Sequence, residues 1–149
     1  MGKLLFFKLS IIIIFITACS SAPRFTTKST KAEIIEDLSE YENLTPLEVT
    51  YGTASYYADK YHGRVTYSGE IFDMNKISAA HISYPMNTIV RVTNLSNNKS
   101  IILRINDRMP LFKDRIIDLS YAAAIELDFV REGLAQVKIE VLKWGDGKK

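Results

Sequence analysis

The chain has 149 residues, 47% of them hydrophobic, with 19 Lys and Arg against 17 Asp and Glu. Lys3 and Lys8 fall in a leader; without them each sign counts 17, and no Lys/Arg stripe marks a phosphate track, so no nucleic-acid partner is expected. A single Cys excludes an intramolecular disulfide, and the length left after the leader suits one core rather than two domains.

In chain order, residues 1–18 read as a lipoprotein signal peptide. Leu9–Ile16 is an apolar run too short to span a bilayer comfortably, and it matches the central segment of a secretory leader. It leads into Ile16-Thr17-Ala18-Cys19, the bacterial lipobox pattern, in which the leader is cut before Cys19 and the thiol is acylated. Two or three acyl chains anchor stably, because each buried methylene contributes about 0.8 kcal/mol and one chain alone is marginal. A lone free thiol in an uncleaved anchor is the alternative reading of Cys19. Ser20 stands where an Asp would favour retention at the inner membrane, so the outer membrane is favoured. The expected location is the periplasmic face of a membrane in a bacterial envelope.

Residues 19–48 read as the lipidated Cys and a flexible linker. Ser20–Lys31 is rich in Ser, Thr and Lys, and Ala32–Glu48 is acidic. Ile34, Leu38 and Tyr41 fall at helical spacing and allow a short helix over 33–41, but a solvated tether is the favoured reading. Residues 49–142 form the domain. Val49–Tyr57 reads as its first strand, and Thr88–Leu95 and Ser100–Asn106 as a hairpin turning at Ser96-Asn97-Asn98-Lys99. Arg115–Leu119 is a short strand, Ser120 an N-cap, Tyr121–Asp128 an Ala-rich helix and Gln136–Leu142 the last strand. Residues 143–149 form a polar tail expected to fray. Strands interrupted by one short helix predict a mainly β fold, a small closed barrel without exposed sheet edges.

Three residues carry the candidate chemistry. Glu70 sits in Ser68-Gly69-Glu70, next to a loop that Gly63 and Gly69 bracket and that brings His62, Arg64, Thr66 and Tyr67 together. Aromatic faces beside hydrogen-bonding groups suit a sugar; the alternative is a solvated turn carboxylate. His81 follows Ala79-Ala80, where a lone histidine is more often structural. Asp107 lies in Asn106-Asp107-Arg108 at the end of a strand whose Ile101, Leu103 and Ile105 share a face, and period two continues that face to Asp107. Burial there raises its pKa, as a general acid needs; pairing with Arg104, Arg108 or Arg115 lowers it. Two carboxylates suggest glycosidic cleavage. The two histidines lack a metal-ligand spacing, so no metal is expected, nor any cofactor.

The chain resembles the rare lipoprotein A family of cell-wall lytic transglycosylases. The matching words are Gly52-Thr53-Ala54-Ser55-Tyr56-Tyr57, His62-Gly63-Arg64, Ser68-Gly69-Glu70-Ile71-Phe72-Asp73-Met74, Ala79-Ala80-His81, Asn106-Asp107-Arg108 and Ile116-Ile117-Asp118-Leu119-Ser120. The resemblance implies a six-stranded double-psi β-barrel and a groove with Glu70 and Asp107 as catalytic acids and His81 alongside. It implies His62, Arg64, Ser68, Asn106 and Arg108 as substrate contacts, and a peptidoglycan glycan strand as partner of a monomeric domain. The implied reaction cleaves the β-1,4 bond from N-acetylmuramic acid to N-acetylglucosamine and leaves a 1,6-anhydro end. Met109 stands where relatives carry Gly, Ile82 where they carry Pro, and Asn87 where they carry Gly; Asn tolerates a left-handed backbone. Many relatives also carry a C-terminal SPOR domain, which this sequence, ending at Lys149, does not show. A non-catalytic wall-binding lipoprotein, akin to expansins, is the second reading.

Overall fold

A computed structural model of the chain describes residues 37–57 and 59–147. The leader, Cys19 and the first part of the linker lie outside the described residues. Six strands follow in order: β1 (Glu48–Tyr56), β2 (Ala79–His81), β3 (Ile89–Asn94), β4 (Ser100–Arg108), β5 (Arg115–Leu119) and β6 (Ala135–Lys143), with one helix, α1 (Tyr121–Glu126), between the last two. They close into a barrel in the order β1-β5-β2-β4-β3-β6. The β1/β5 and β2/β4 pairs are parallel and the other four are antiparallel. This is a double-psi β-barrel.

Alternation builds most of it. Val90 and Val92 of β3, Leu103 and Ile105 of β4, and Val137, Ile139 and Val141 of β6 are fully enclosed, each such side chain contributing roughly 1.5–3 kcal/mol. Ser120 caps α1 as its sequence predicts: its Oγ accepts from the Ala123 N–H at 3.3 Å, and also from the Ser78 N–H at 3.2 Å. Strand β2 carries no such pattern. Its three residues, Ala79, Ala80 and His81, are all buried, with β4 on one side and β5 on the other, and a strand enclosed on both faces shows no polar alternation.

The structure differs from the sequence reading at three places. First, the end of the supposed linker belongs to the fold. Tyr41, in a 3-10 turn over Ser39–Tyr41, is buried against Ile89 and Leu142. Arg91 donates to the Tyr41 and Glu42 carbonyls, and the Leu47 N–H donates to Val141 O at 2.7 Å. Second, β4 runs to Arg108 and breaks its alternation at Asn106: Ala79 pairs with Ile105 but Ala80 with Asp107. The extra residue is a bulge. Asn106 is thereby buried and Asp107 only half-buried, so period two does not carry Asp107 onto the Ile101–Ile105 face.

Third, the tail is fixed through residue 147. The Gly145 N–H donates to Thr88 Oγ1 at 3.1 Å and the Gly147 N–H to Met86 O at 3.2 Å. The Trp144 ring meets Tyr84 edge-on at 5.3 Å between centroids. A methyl placed on Gly145 meets Met86 O at 1.9 Å and Thr88 N at 2.4 Å, both backbone atoms. Gly145→Ala therefore costs about 2 kcal/mol, which lowers the melting midpoint by roughly 10 °C. It also red-shifts the emission of Trp144, the sole tryptophan. An unchanged melt with unchanged emission refutes the tight fit.

Candidate active site

The bulge at Asn106 delivers Asp107 to the mouth of the barrel. Its Oδ1 accepts from the Tyr67 N–H at 2.7 Å and from the Arg108 N–H at 2.8 Å, and its Oδ2 accepts from the Tyr57 hydroxyl at 2.8 Å. A carboxylate accepts about four hydrogen bonds, so three donors leave a position for a proton or a sugar hydroxyl. No cationic side chain pairs with it among the described residues, because each candidate arginine is engaged elsewhere. Arg104 holds Glu70, Arg108 donates to the carbonyls of His81 at 3.1 Å and Tyr84 at 2.9 Å, and Arg115 lies 4.0 Å from Asp118. Burial, and then the bond to Asp107, push the Tyr57 phenol well above its ordinary range, so it remains a proton-bearing donor.

Glu70 is built differently. The loop that carries it turns at Gly63 (φ 80°) and Gly69 (φ 90°), left-handed positions that glycine fills without strain. Cross-loop bonds close it, Thr66 N–H to Glu70 O at 2.8 Å and Phe72 N–H to Arg64 O at 2.8 Å. The Ser68 N–H donates to Asn106 O at 3.2 Å, which fastens the loop to β4. One Arg104 nitrogen donates to both Glu70 oxygens, at 2.8 and 3.0 Å, and Asn106 Nδ2 donates to Oε2 at 2.8 Å. A pair this exposed contributes at most about 1 kcal/mol to stability; its effect is to fix the carboxylate's direction. Asn106 Oδ1 is buried and has no partner among the described residues.

A groove of about 530 Å³ opens beside Asp107, walled by Tyr57, Tyr61, Arg64, Phe72, Met109 and Phe112. Met109 is 3% exposed and forms part of this wall. Asp118 also reaches the groove; it accepts a hydrogen bond from Ser55 and is otherwise buried. Of the residues singled out in the sequence, Asp107, Arg64 and Arg108 line the groove, and Glu70, Ser68 and Asn106 join through the bonds above. His62 and His81 do not line it. His62 Nδ1 accepts from the Met74 N–H at 3.2 Å and lies 3.7 Å from Asp73, so it closes its own loop. His81 is buried, its Nδ1 accepts from the N–H groups of Ser83 at 3.2 Å and Tyr84 at 3.0 Å, and its ring stacks on Tyr84 at 3.6 Å. Its link to the site is its backbone, which faces Arg108 in the β2/β4 register.

Sequence reading gave no role to Tyr57 or Asp118, and it named Arg104 only as a possible partner of Asp107, not of Glu70. Arg104 was findable: it shares a β4 face with Asn106 by period two, and both meet Glu70. Tyr57 and Asp118 gave no local signal, since their partners are 50 and 63 residues away.

A closed barrel with two parallel strand pairs, bearing one carboxylate at a strand end and a second on the loop fastened to that strand, defines a double-psi β-barrel with a groove beside Asp107. The chain belongs to the lytic transglycolase family, whose profile matches residues 49–139. It is 52% identical over 89 residues to the endolytic peptidoglycan transglycosylase RlpA of Pseudomonas aeruginosa strain UCBPP-PA14, a match covering 60% of this chain and 26% of that protein. Identity to the RlpA of Campylobacter jejuni is 46% over 98 residues, covering 66% of this chain and 36% of the relative. The chain thus spans about a quarter to a third of the length of these curated relatives. Among solved structures it is similar to Streptomyces papain inhibitor (TM-score 0.52, 21% identity, covering 68% of this chain and all of that one). It is also similar to the apo expansin of Clavibacter michiganensis (TM-score 0.52, 17% identity, covering 64% of this chain and 51% of that one). At these identities the likeness is one of fold.

Burial, and then the Arg108 charge, push the pKa of His81 down to about 4, whereas an unfolded histidine titrates near 6.5. Above pH 6.5 neither state is protonated and the group contributes nothing to the pH dependence. As pH falls toward 4, the unfolded chain takes up a proton that the folded chain refuses, so stability drops by up to about 1.4 kcal/mol per pH unit. Urea midpoints at pH 7.5 and pH 4.5 should therefore differ more for the parent than for His81→Gln. Equal differences would show that His81 is not held neutral.

Proposed function

We propose that this domain is a lytic transglycosylase that cleaves the N-acetylmuramic acid to N-acetylglucosamine β-1,4 bond of peptidoglycan strands, leaving 1,6-anhydro ends. The observation that carries the reading is Asp107: a carboxyl group at a groove mouth, held by three neutral donors and ion-paired to no cation among the described residues. Aromatic walls offer stacking faces to sugar rings, and the family and its peptidoglycan-acting relatives point to the same substrate.

In this reading Asp107 donates its proton to the glycosidic oxygen as the bond to C1 breaks. The muramoyl C6 hydroxyl then closes on C1 and gives its proton to the Asp107 carboxylate. Atoms balance without water, and Asp107 returns to its starting state. Tyr57 steadies the carboxylate between the two transfers through its bond to Oδ2. Glu70 has both oxygens engaged by Arg104 and Asn106, which suits positioning of the sugar rather than proton delivery. His81 supports the strand that carries Arg108 and Asp107. Acylation at Cys19 tethers the domain to a membrane of the envelope, with the outer membrane favoured by Ser20.

The test incubates the purified chain with intact and with amidase-stripped peptidoglycan and measures released anhydromuramoyl ends by mass spectrometry. Asp107→Asn should lower their release by about 10²–10⁴-fold while the chain still melts as a folded domain, and Glu70→Gln by a smaller factor. Glycan binding without anhydro ends on either substrate would replace the enzyme by a wall-binding, expansin-like protein.

A further inference from the structure

The groove holds more positive charge than its fold or its chemistry uses. Four cations line it, Lys60, Arg64, Arg108 and Arg115, against two carboxylates, Asp107 and Asp118. Arg108 is engaged by two backbone carbonyls, and Arg115 lies against Phe112 at 3.9 Å and beside Asp118. Lys60 and Arg64 differ. Both are exposed, and neither forms an ion pair among the described residues. Both approach the same ring: Lys60 Nζ lies 5.3 Å and the Arg64 guanidinium 5.4 Å from the Tyr61 centroid. Tyr61 in turn packs on Tyr57 at 5.5 Å, and Tyr57 donates to Asp107. Two unpaired cations therefore flank an aromatic platform that stands two side chains from the acid.

A neutral glycan gains only stacking from such a platform. An acidic one gains twice, because its ring faces stack on Tyr61 while its carboxylate meets Lys60 and Arg64 in charge-assisted bonds. We infer that Lys60, Arg64 and Tyr61 form a subsite for a carboxylate-bearing substituent of the sugar chain, and that this subsite selects acidic over neutral glycan. The inference rests on the glycan reading above and specifies its substrate. Two sources supply the carboxylate: the lactyl ether of a peptide-stripped muramoyl unit, or the stem peptides of an intact strand.

Four strand preparations test it: stripped strands, intact strands, and each of these with its carboxylates converted to neutral amides. Binding of Asp107→Asn, which leaves the strands uncut, is measured with and without Lys60→Ala/Arg64→Ala. The parent should bind carboxylate strands roughly tenfold more tightly than amidated ones, and the advantage should shrink as salt rises. The added double substitution should abolish the advantage, so that carboxylate and amidated strands bind alike, with an unchanged melting curve. An advantage in the stripped pair identifies the lactyl carboxylate, and one in the intact pair alone identifies the stem peptide. Equal binding to carboxylate and amidated strands in both pairs, or an advantage that survives the double substitution, overturns the subsite. That result would leave the transglycosylase reading standing if the unsubstituted chain still releases anhydro ends. Binding to none of the four would sink both.

Discussion

The carboxylate of Asp107 is the junction on which the groove depends. It accepts one bond from the end of β1 through Tyr57, one from the Glu70 loop through the Tyr67 N–H, and one from its own strand through the Arg108 N–H. A partly buried carboxylate needs such donors, and each of them needs an acceptor in turn. Local fold and candidate chemistry are therefore the same set of bonds. The bulge at Asn106 makes this possible: it breaks the β4 alternation one residue before the acid, and it presents Asn106 Nδ2 to Glu70 and Asn106 O to Ser68.

A second chain of contacts reaches the groove from the end of the sequence. Asn87 has φ 67°, a left-handed conformation that Asn tolerates better than most residues. Its side chain does what a glycine cannot. Oδ1 accepts from Arg104 at 3.0 Å, and Nδ2 donates to Asp146 at 2.9 Å. Arg104 is the residue that fixes Glu70. Asn87 thus links the pinned tail at 144–147 to the direction of the Glu70 carboxylate. Met109 is buried into the groove wall, beside an Asp107 held by its three donors.

What was legible in the sequence was what repeats. The β3–β4 hairpin, the capped α1 and β6 all follow from alternation or from a cap residue. The parts that were not legible are held by single long-range contacts. Tyr41 and Trp144 each fasten a polar-looking segment through one ring and a few bonds to backbone, which leaves no period to read. Strand β2 is Ala-Ala-His, enclosed on both faces, and its neighbours impose its conformation more than its own propensities do. The bulge was hidden for a related reason: it exists only in the pairing of β4 with β2, and β2 itself gave no sign.

The same limit governs the roles of the two acids. Sequence could name Glu70 and Asp107 and could set burial against an arginine partner for Asp107, but the outcome depended on which carboxylate each arginine reached. The structure gives the arginine to Glu70. Proton delivery from Glu70 would have to displace donors from Arg104 and Asn106, and it would happen outside the groove wall. Asp107 faces only neutral donors among the described residues, keeps an open acceptor position, and lines the groove. The asymmetry between the two acids thus arises from the partition of neighbours between two ordinary carboxylates, and the β4 bulge takes part in that partition through Asn106.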